Sequence, residues 1–132
     1  MRTDIRDRNS KLTPVTMTSV TATSDGLTTG IIGQNATFVN VSSTDDAHIV
    51  VLPAPKEEML GKTIMIVRGI TKAFELRSSA PATIAINNVT GAGVELLCAA
   101  STVSYATLTT MTDWDVVTIA GTFTALTYGV PN

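Results

Sequence analysis

Charge is scarce in this chain. Asp, Glu, Lys and Arg together make up 15% of its 132 residues and leave a net charge of −2. A soluble domain ordinarily carries about 25% charged residues. The near-neutral balance excludes a broad electrostatic footprint for nucleic acid or for an anionic membrane. Cysteine is reduced to Cys98 and histidine to His48, and aromatic residues make up 5%. One cysteine excludes an internal disulfide and a cysteine-based zinc site. It lies in the apolar run Val94–Ala100 and reads as a buried structural thiol. No apolar run reaches the ~18 residues of a membrane helix. The charged stretch Met1–Lys11 does not read as a secretory signal, so the expected place of synthesis is a cytosol. Long amphipathic helices and repeats of solenoid or propeller period are missing as well.

What is plentiful is threonine, at 23 residues. Threonine is β-branched and half-polar, so it suits a strand face that is wet or partly covered. A surface of Thr and Ser in place of Lys and Glu is weakly solvated and fits a partner better than open water. The chain is organised around His48–Gly69, which reads as strand, short turn, strand. Ile49–Leu52 is a run stopped by Pro53, which lacks the N–H a ladder needs. Pro55, Glu57, Glu58 and Gly61 predict one helical turn, with Pro55 at its first position and Gly61 past its end. Lys62–Arg68 is apolar on both faces, the pattern of a strand covered on both sides.

Other strands are expected within Leu12–Leu27, Thr37–Val41, Ala73–Arg77, Thr83–Asn87, Val94–Cys98, Val103–Thr109, Asp113–Ile119 and Thr122–Tyr128. Ile49, Val51, Ile64, Ile66, Ile84, Ile86, Leu96, Trp114 and Val116 form the expected core by two-residue alternation. Strands this short and this closely spaced predict an all-β domain. The expected form is a β-sandwich or jelly roll of nine or ten short antiparallel strands. Residues 1–12 hold six of the twenty charges without apolar periodicity, and read as an extended N-terminal arm outside the single sandwich domain of residues 13–132. That arm is either a solvated tail or a segment that orders on a partner.

Candidate chemistry is thin. Asp45, Asp46 and His48 are the one cluster of metal-ligand or triad type, and Asp at a loop–strand junction reads first as a turn former. Asp113 and Asp115 flank Trp114 with the spacing of a strand-face carboxylate pair. The pair is a candidate for glycoside hydrolysis, set against the frequency of Asp at strand entry. Trp114 reads as core in preference to a sugar platform. No enzyme is expected, and no metal or cofactor. From Leu96 to Asn132 the only charges are Asp113 and Asp115. This segment carries Tyr105, Leu108, Phe123, Leu126 and Tyr128, which read as an oligomer interface or as the second sheet of the sandwich.

An apolar strand ending Leu52-Pro53, then Gly61, then Thr63–Val67, then Thr83–Asn87, then a Thr/Ser-rich stretch to Trp114 and Val116-Val117: this sequence of features resembles small β domains of tailed bacteriophages. These domains serve as capsid decoration (cement) proteins and as head or tail fibre modules. The resemblance covers roughly Ile49–Ile119, and a recurring asparagine after the central strand is Arg68 here. It implies a structural virion protein on the capsid surface, without catalytic residues, working as a homotrimer. Its partner would be the major capsid protein, with no nucleic acid and no membrane. On that reading Arg2, Arg6, Arg8 and Lys11 of the arm are the capsid-binding residues. The competing reading is a fibre or receptor/glycan-binding module using Trp114, Tyr105 or Tyr128.

Overall fold

The computed structural model describes residues 17–25, 28–68, 72–99 and 102–120. They form nine strands and no α-helix. The strands are β1 (Met17–Thr21), β2 (Phe38–Ser42), β3 (Ile49–Val51), β4 (Thr63–Arg68), β5 (Phe74–Arg77), β6 (Ala85–Ile86), β7 (Leu96–Cys98), β8 (Thr102–Thr110) and β9 (Asp113–Ala120). The domain is all-β. A six-stranded sheet has the order β1-β2-β4-β8-β9-β6, and a three-stranded sheet the order β3-β5-β7.

The expected antiparallel arrangement does not hold. The pairs β1–β2, β2–β4, β3–β5 and β6–β9 are parallel, while β4–β8, β5–β7 and β8–β9 are antiparallel. The cause is the path of the chain. From β2 to β8 each strand lies in the opposite sheet from the one before it. A strand that returns to a sheet after an excursion through the other can run in its original direction, as parallel pairing requires. His48–Gly69 is therefore no hairpin: β3 belongs to the small sheet and β4 to the large one.

The local reasons for each strand survive this correction. β4 sits between β2 and β8, with Ile64 and Ile66 buried and Met65 and Val67 half-buried on the other face. In β5, Phe74 and Leu76 point inward and Glu75 and Arg77 outward. All three residues of β3 are buried, because the small sheet covers one flank and the loop ahead of β2 the other. That loop bridges β3 at Thr23↔Ile49 and Ile31↔Val51. The helical turn is a 3₁₀ turn over Glu57–Met59 with Lys56 at the position before it, which leaves Pro55 outside it. Gly61 follows with φ +77, the left-handed value that favours glycine.

One hydrophobic cluster draws on both sheets. It holds Val39, Ile66, Leu108 and Trp114 from the large sheet with Val50, Phe74, Leu76 and Cys98 from the small one. Ile84 and Leu96 only pack against its margin, because β6 is two residues long and β7 is a sheet edge. The described first strand ends at Thr21, ahead of the expected Leu27, and its inward residue is Val20; residues 12–16 lie outside the described residues. The expected strand Thr122–Tyr128 and the arm lie outside the described residues. No helix among the described residues is long and apolar enough to cross a membrane.

Trp114 is held by a side chain that imitates a strand. β6 pairs with β9 at Ala85↔Asp113 and Ile86↔Trp114. Beyond it, the Asn87 amide continues the ladder. Val116 N–H donates to Asn87 Oδ1 at 2.7 Å, and Asn87 Nδ2 donates to Val116 O at 3.1 Å. Asn87 has φ 53, a conformation asparagine tolerates better than other non-glycine residues.

Candidate functional site

Alternation and register together build one unusual surface. In β1, β2, β4, β8 and β9 every second side chain points away from the shared core. The pairings align Met17 with Phe38, Phe38 with Met65, Met65 with Tyr105, and Tyr105 with Val117. The result is an apolar row across five strands on the outward face. A second row beside it runs Ser19, Asn40, Val67, Val103 and Ile119. Met17, Val117 and Ile119 are 63%, 57% and 55% exposed, so this face is open at both edges. The outward positions Met17, Ser19 and Thr21, Phe38, Asn40 and Ser42, and Thr63, Met65 and Val67 carry no charge, and neither do Val103, Tyr105 and Thr107. Asp113 and Asp115 mark one corner, at the start of β9.

Of the residues expected at an interface, Tyr105 lies on this row, half-buried. Leu108 does not: it is fully buried in the core beside Trp114, its partner across β8–β9, and has no surface to offer. Phe123, Leu126 and Tyr128 lie outside the described residues, as do Arg2, Arg6, Arg8 and Lys11. Phe38, Met17 and Met65 were not singled out by sequence reasoning. Their alternation within each strand was visible, but their alignment depends on pairings across distant segments.

The other clusters resolve into structure. Asp45 Oδ1 accepts from Ala47 N–H at 2.9 Å, and His48 N–H donates to Asp45 O at 3.2 Å, a turn built on the aspartate. Asp46 Oδ1 accepts from Ala73 N–H at 2.8 Å, tying that turn to the entry of β5. Asp113 Oδ1 accepts from Asn88 N–H at 3.1 Å, whereas Asp115 is exposed. Cys98 is buried, with its Sγ 3.5 Å from Ser104 Oγ. Burial pushes its thiol pKa up and the Ser104 contact opposes this, so the thiolate is disfavoured. Trp114 is 1% exposed, which leaves no ring face for stacking on a sugar. It forms part of the wall of a cavity of about 300 Å³ also bordered by Gln34, Asn35, Glu58 and Lys62.

The outward side of the small sheet holds the one charged constellation with perturbed protonation among the described residues. Arg77 Nη2 pairs with Glu95 Oε1. Glu75 has its pKa raised, chiefly by a hydrogen bond to the Glu95 carboxyl, then by burial and by the Glu95 charge, with Arg77 opposing. A carboxyl raised in the folded state contributes stability below its ordinary value of 4.5, and that contribution is lost as the pH rises through the raised value. Glu75→Gln imitates the protonated form at every pH. The variant is expected to be more stable than the parent at pH 7, by about 0.5 kcal/mol or less given solvent screening. The gain vanishes as the pH falls below 4.5. Urea midpoints at pH 4 and pH 7 measure it, and an equal difference at both pH values would contradict the shared proton.

Among the described residues no group of three or more His, Cys, Asp or Glu is placed to hold a metal ion. Comparison of this chain with protein-family models, with characterised proteins and with solved structures finds no match to any of them.

Proposed function

We propose that this chain is a structural virion protein, a capsid decoration (cement) protein that binds the outer surface of a phage head and stabilises it. The observation that carries this reading is the apolar row Met17, Phe38, Met65, Tyr105 and Val117 on the outward face of the six-stranded sheet, where the described outward positions of β1, β2, β4 and β8 carry no charge. A face of this kind fits permanent assembly better than transient catalysis or a polar ligand. The low charge and abundant threonine of the whole chain agree with it, as does the resemblance of Ile49–Ile119 to phage β domains. In this proposal the two sheets around one core form a β-sandwich, the chain works as a homotrimer, and no catalysis is involved. Arg2, Arg6, Arg8 and Lys11 of residues 1–12 make the contact with the major capsid protein. The glycan-binding alternative needs an exposed aromatic platform, and the burial of Trp114 removes its leading candidate.

Co-sedimentation with phage heads assembled without this chain tests the proposal. Saturable, stoichiometric binding and heads more resistant to heat are expected. Removing residues 1–12 is expected to weaken binding and to flatten its salt dependence, since the lost contacts are those that salt screens. A chain that stays in the supernatant at every salt concentration would overturn the reading.

A further inference from the structure

We propose that the outward face of the six-stranded sheet, centred on Met17, Phe38, Met65, Tyr105 and Val117, docks a second copy of this chain. The inference rests on the assembly in the reading above and supplies its contact surface.

Composition is the first argument. The row contains two methionines, a phenylalanine, a tyrosine and a valine, aligned by strand register. Met and aromatic residues are enriched at the centres of protein interfaces, and Lys, Glu and Asp are depleted there. The outward positions of β1, β2 and β4 and of β8 up to Thr107 carry no charged residue.

Charge also selects the occupant. A nucleic acid or an anionic lipid surface would need cations on this face, and the described outward strand positions carry none. A charged protein surface would lose its hydration against Met65 and Val67 without gaining a counter-charge. A neutral apolar face is complementary to itself. Among the described outward strand positions the only charges are Asp113 and Asp115, which sit at one corner, at the rim of such a contact.

Area is the third argument. At about 4.8 Å between strands and ~3.4 Å per residue, five strands of five residues present roughly 24 by 17 Å, about 400 Å² in projection. That is about half of the ~800 Å² of accessible surface that each partner contributes to a standard interface. It falls within the ~300–600 Å² of the largest patch on a typical monomer, a patch that is often functional. Three copies with these faces turned toward a common threefold axis would share one apolar centre, and two copies would stack face to face.

Size exclusion with light scattering on the full chain, at high micromolar concentration, tests the inference. The expected mass is two or more times 13.8 kDa. Val117→Glu and Met17→Glu lie at opposite ends of the row and are both mostly exposed, so neither disturbs the core. Each is expected to raise the dissociation constant at least about tenfold, by burying a like-charged pair. Circular dichroism is expected to stay unchanged, and the melting transition to fall only by what the lost assembly contributed and to lose its dependence on concentration. Leu97→Glu, at a residue 59% exposed on the small sheet, is the control and leaves the mass as it was. A parent chain of 13.8 kDa overturns the inference. So does a Val117→Glu chain that stays assembled, or a Leu97→Glu chain that falls apart equally. A monomer that loses head binding on Val117→Glu would place the capsid protein on this face instead. Assembly without head binding supports the second copy and ends the decoration reading.

Discussion

Replacing Trp114 with alanine is expected to lower the stability of the fold by about 3–5 kcal/mol, the range for truncating a fully buried large aromatic. Trp114 is 1% exposed and the largest fully buried side chain of the described residues. It faces Leu108 across β8–β9 and stands beside Ile86 across the β6–β9 pair. Its loss opens a void at the junction of three strands, and the Asn87 amide that anchors Val116 prevents β9 from collapsing into it. In a domain of this size the melting temperature is expected to fall by roughly 10–20 °C. Trp114→Phe is expected to cost much less than its lost area suggests. The indole Nε1 is buried and has no hydrogen-bond partner among the described residues, so phenylalanine also removes an unsatisfied donor. Urea unfolding followed by circular dichroism measures both variants. An alanine variant melting within a few degrees of the parent would show that Trp114 is peripheral. Val117→Ala, one strand position outside the core pattern, is expected to change monomer stability by about 0.5 kcal/mol or less.

The contrast between Trp114 and Val117 shows what the sequence could convey. Two-residue alternation is a local property of strands. It placed Trp114 and Val116 in the core, as the structure has them, and Val117 and Ile119, of opposite parity, are exposed. It failed at Leu108 because the inner face of β8 is Thr102, Ser104, Ala106 and Leu108. Two of those inner residues are small and one is a threonine, so the apolar period is masked. The inner polar groups are satisfied within the neighbouring strands and turn: Thr102 Oγ1 donates to Ala99 O at 2.6 Å, and Ser104 Oγ lies 3.2 Å from Thr118 Oγ1 and 3.5 Å from Cys98 Sγ. Sheet membership was not legible at all. Ile49–Leu52 and Thr63–Val67 look like two arms of a hairpin, yet the short connection between them carries the chain from one sheet to the other. Nothing in a period-two pattern says which strand is the neighbour. For the same reason the row from Met17 to Val117 could not be read ahead of the register, although each member's parity could. The parallel pairings follow from the same crossing and recrossing, which is a property of the whole path.

The crossing from β1 to β2 depends on Gly30, and Gly30→Ala is expected to cost about 3 kcal/mol. Gly30 has φ +70, and a Cβ there would lie 2.9 Å from Ile49 O and 3.1 Å from Thr21 O. Both are backbone atoms, so neither can swing aside as a side-chain end would. The left-handed conformation alone costs a residue with a Cβ about 1–2 kcal/mol. The remainder comes from displaced ladder bonds, at about 1 kcal/mol each. Those bonds are close at hand: Val51 N–H donates to Gly30 O at 2.9 Å, Ile32 N–H to Val51 O at 2.9 Å, and Ile49 N–H to Thr23 O at 2.8 Å. They close the open flank of β3 and keep Ile32 in the core. Gly61→Ala separates the two contributions. Gly61 shares the positive φ at +77, but a Cβ there meets nothing within 4 Å, so only the conformational cost of about 1 kcal/mol is expected. Gly33→Ala, with open space and no positive φ, is expected to be neutral or slightly stabilising through the unfolded chain. Denaturant midpoints for the three variants are therefore expected to fall in the order Gly33→Ala, Gly61→Ala, Gly30→Ala, with the last far below the others. If Gly30→Ala and Gly61→Ala were equal, the close approach of the loop to β3 would contribute nothing. The flank of β3 would then have to be held by the apolar contacts of Ile32 and not by its backbone bonds.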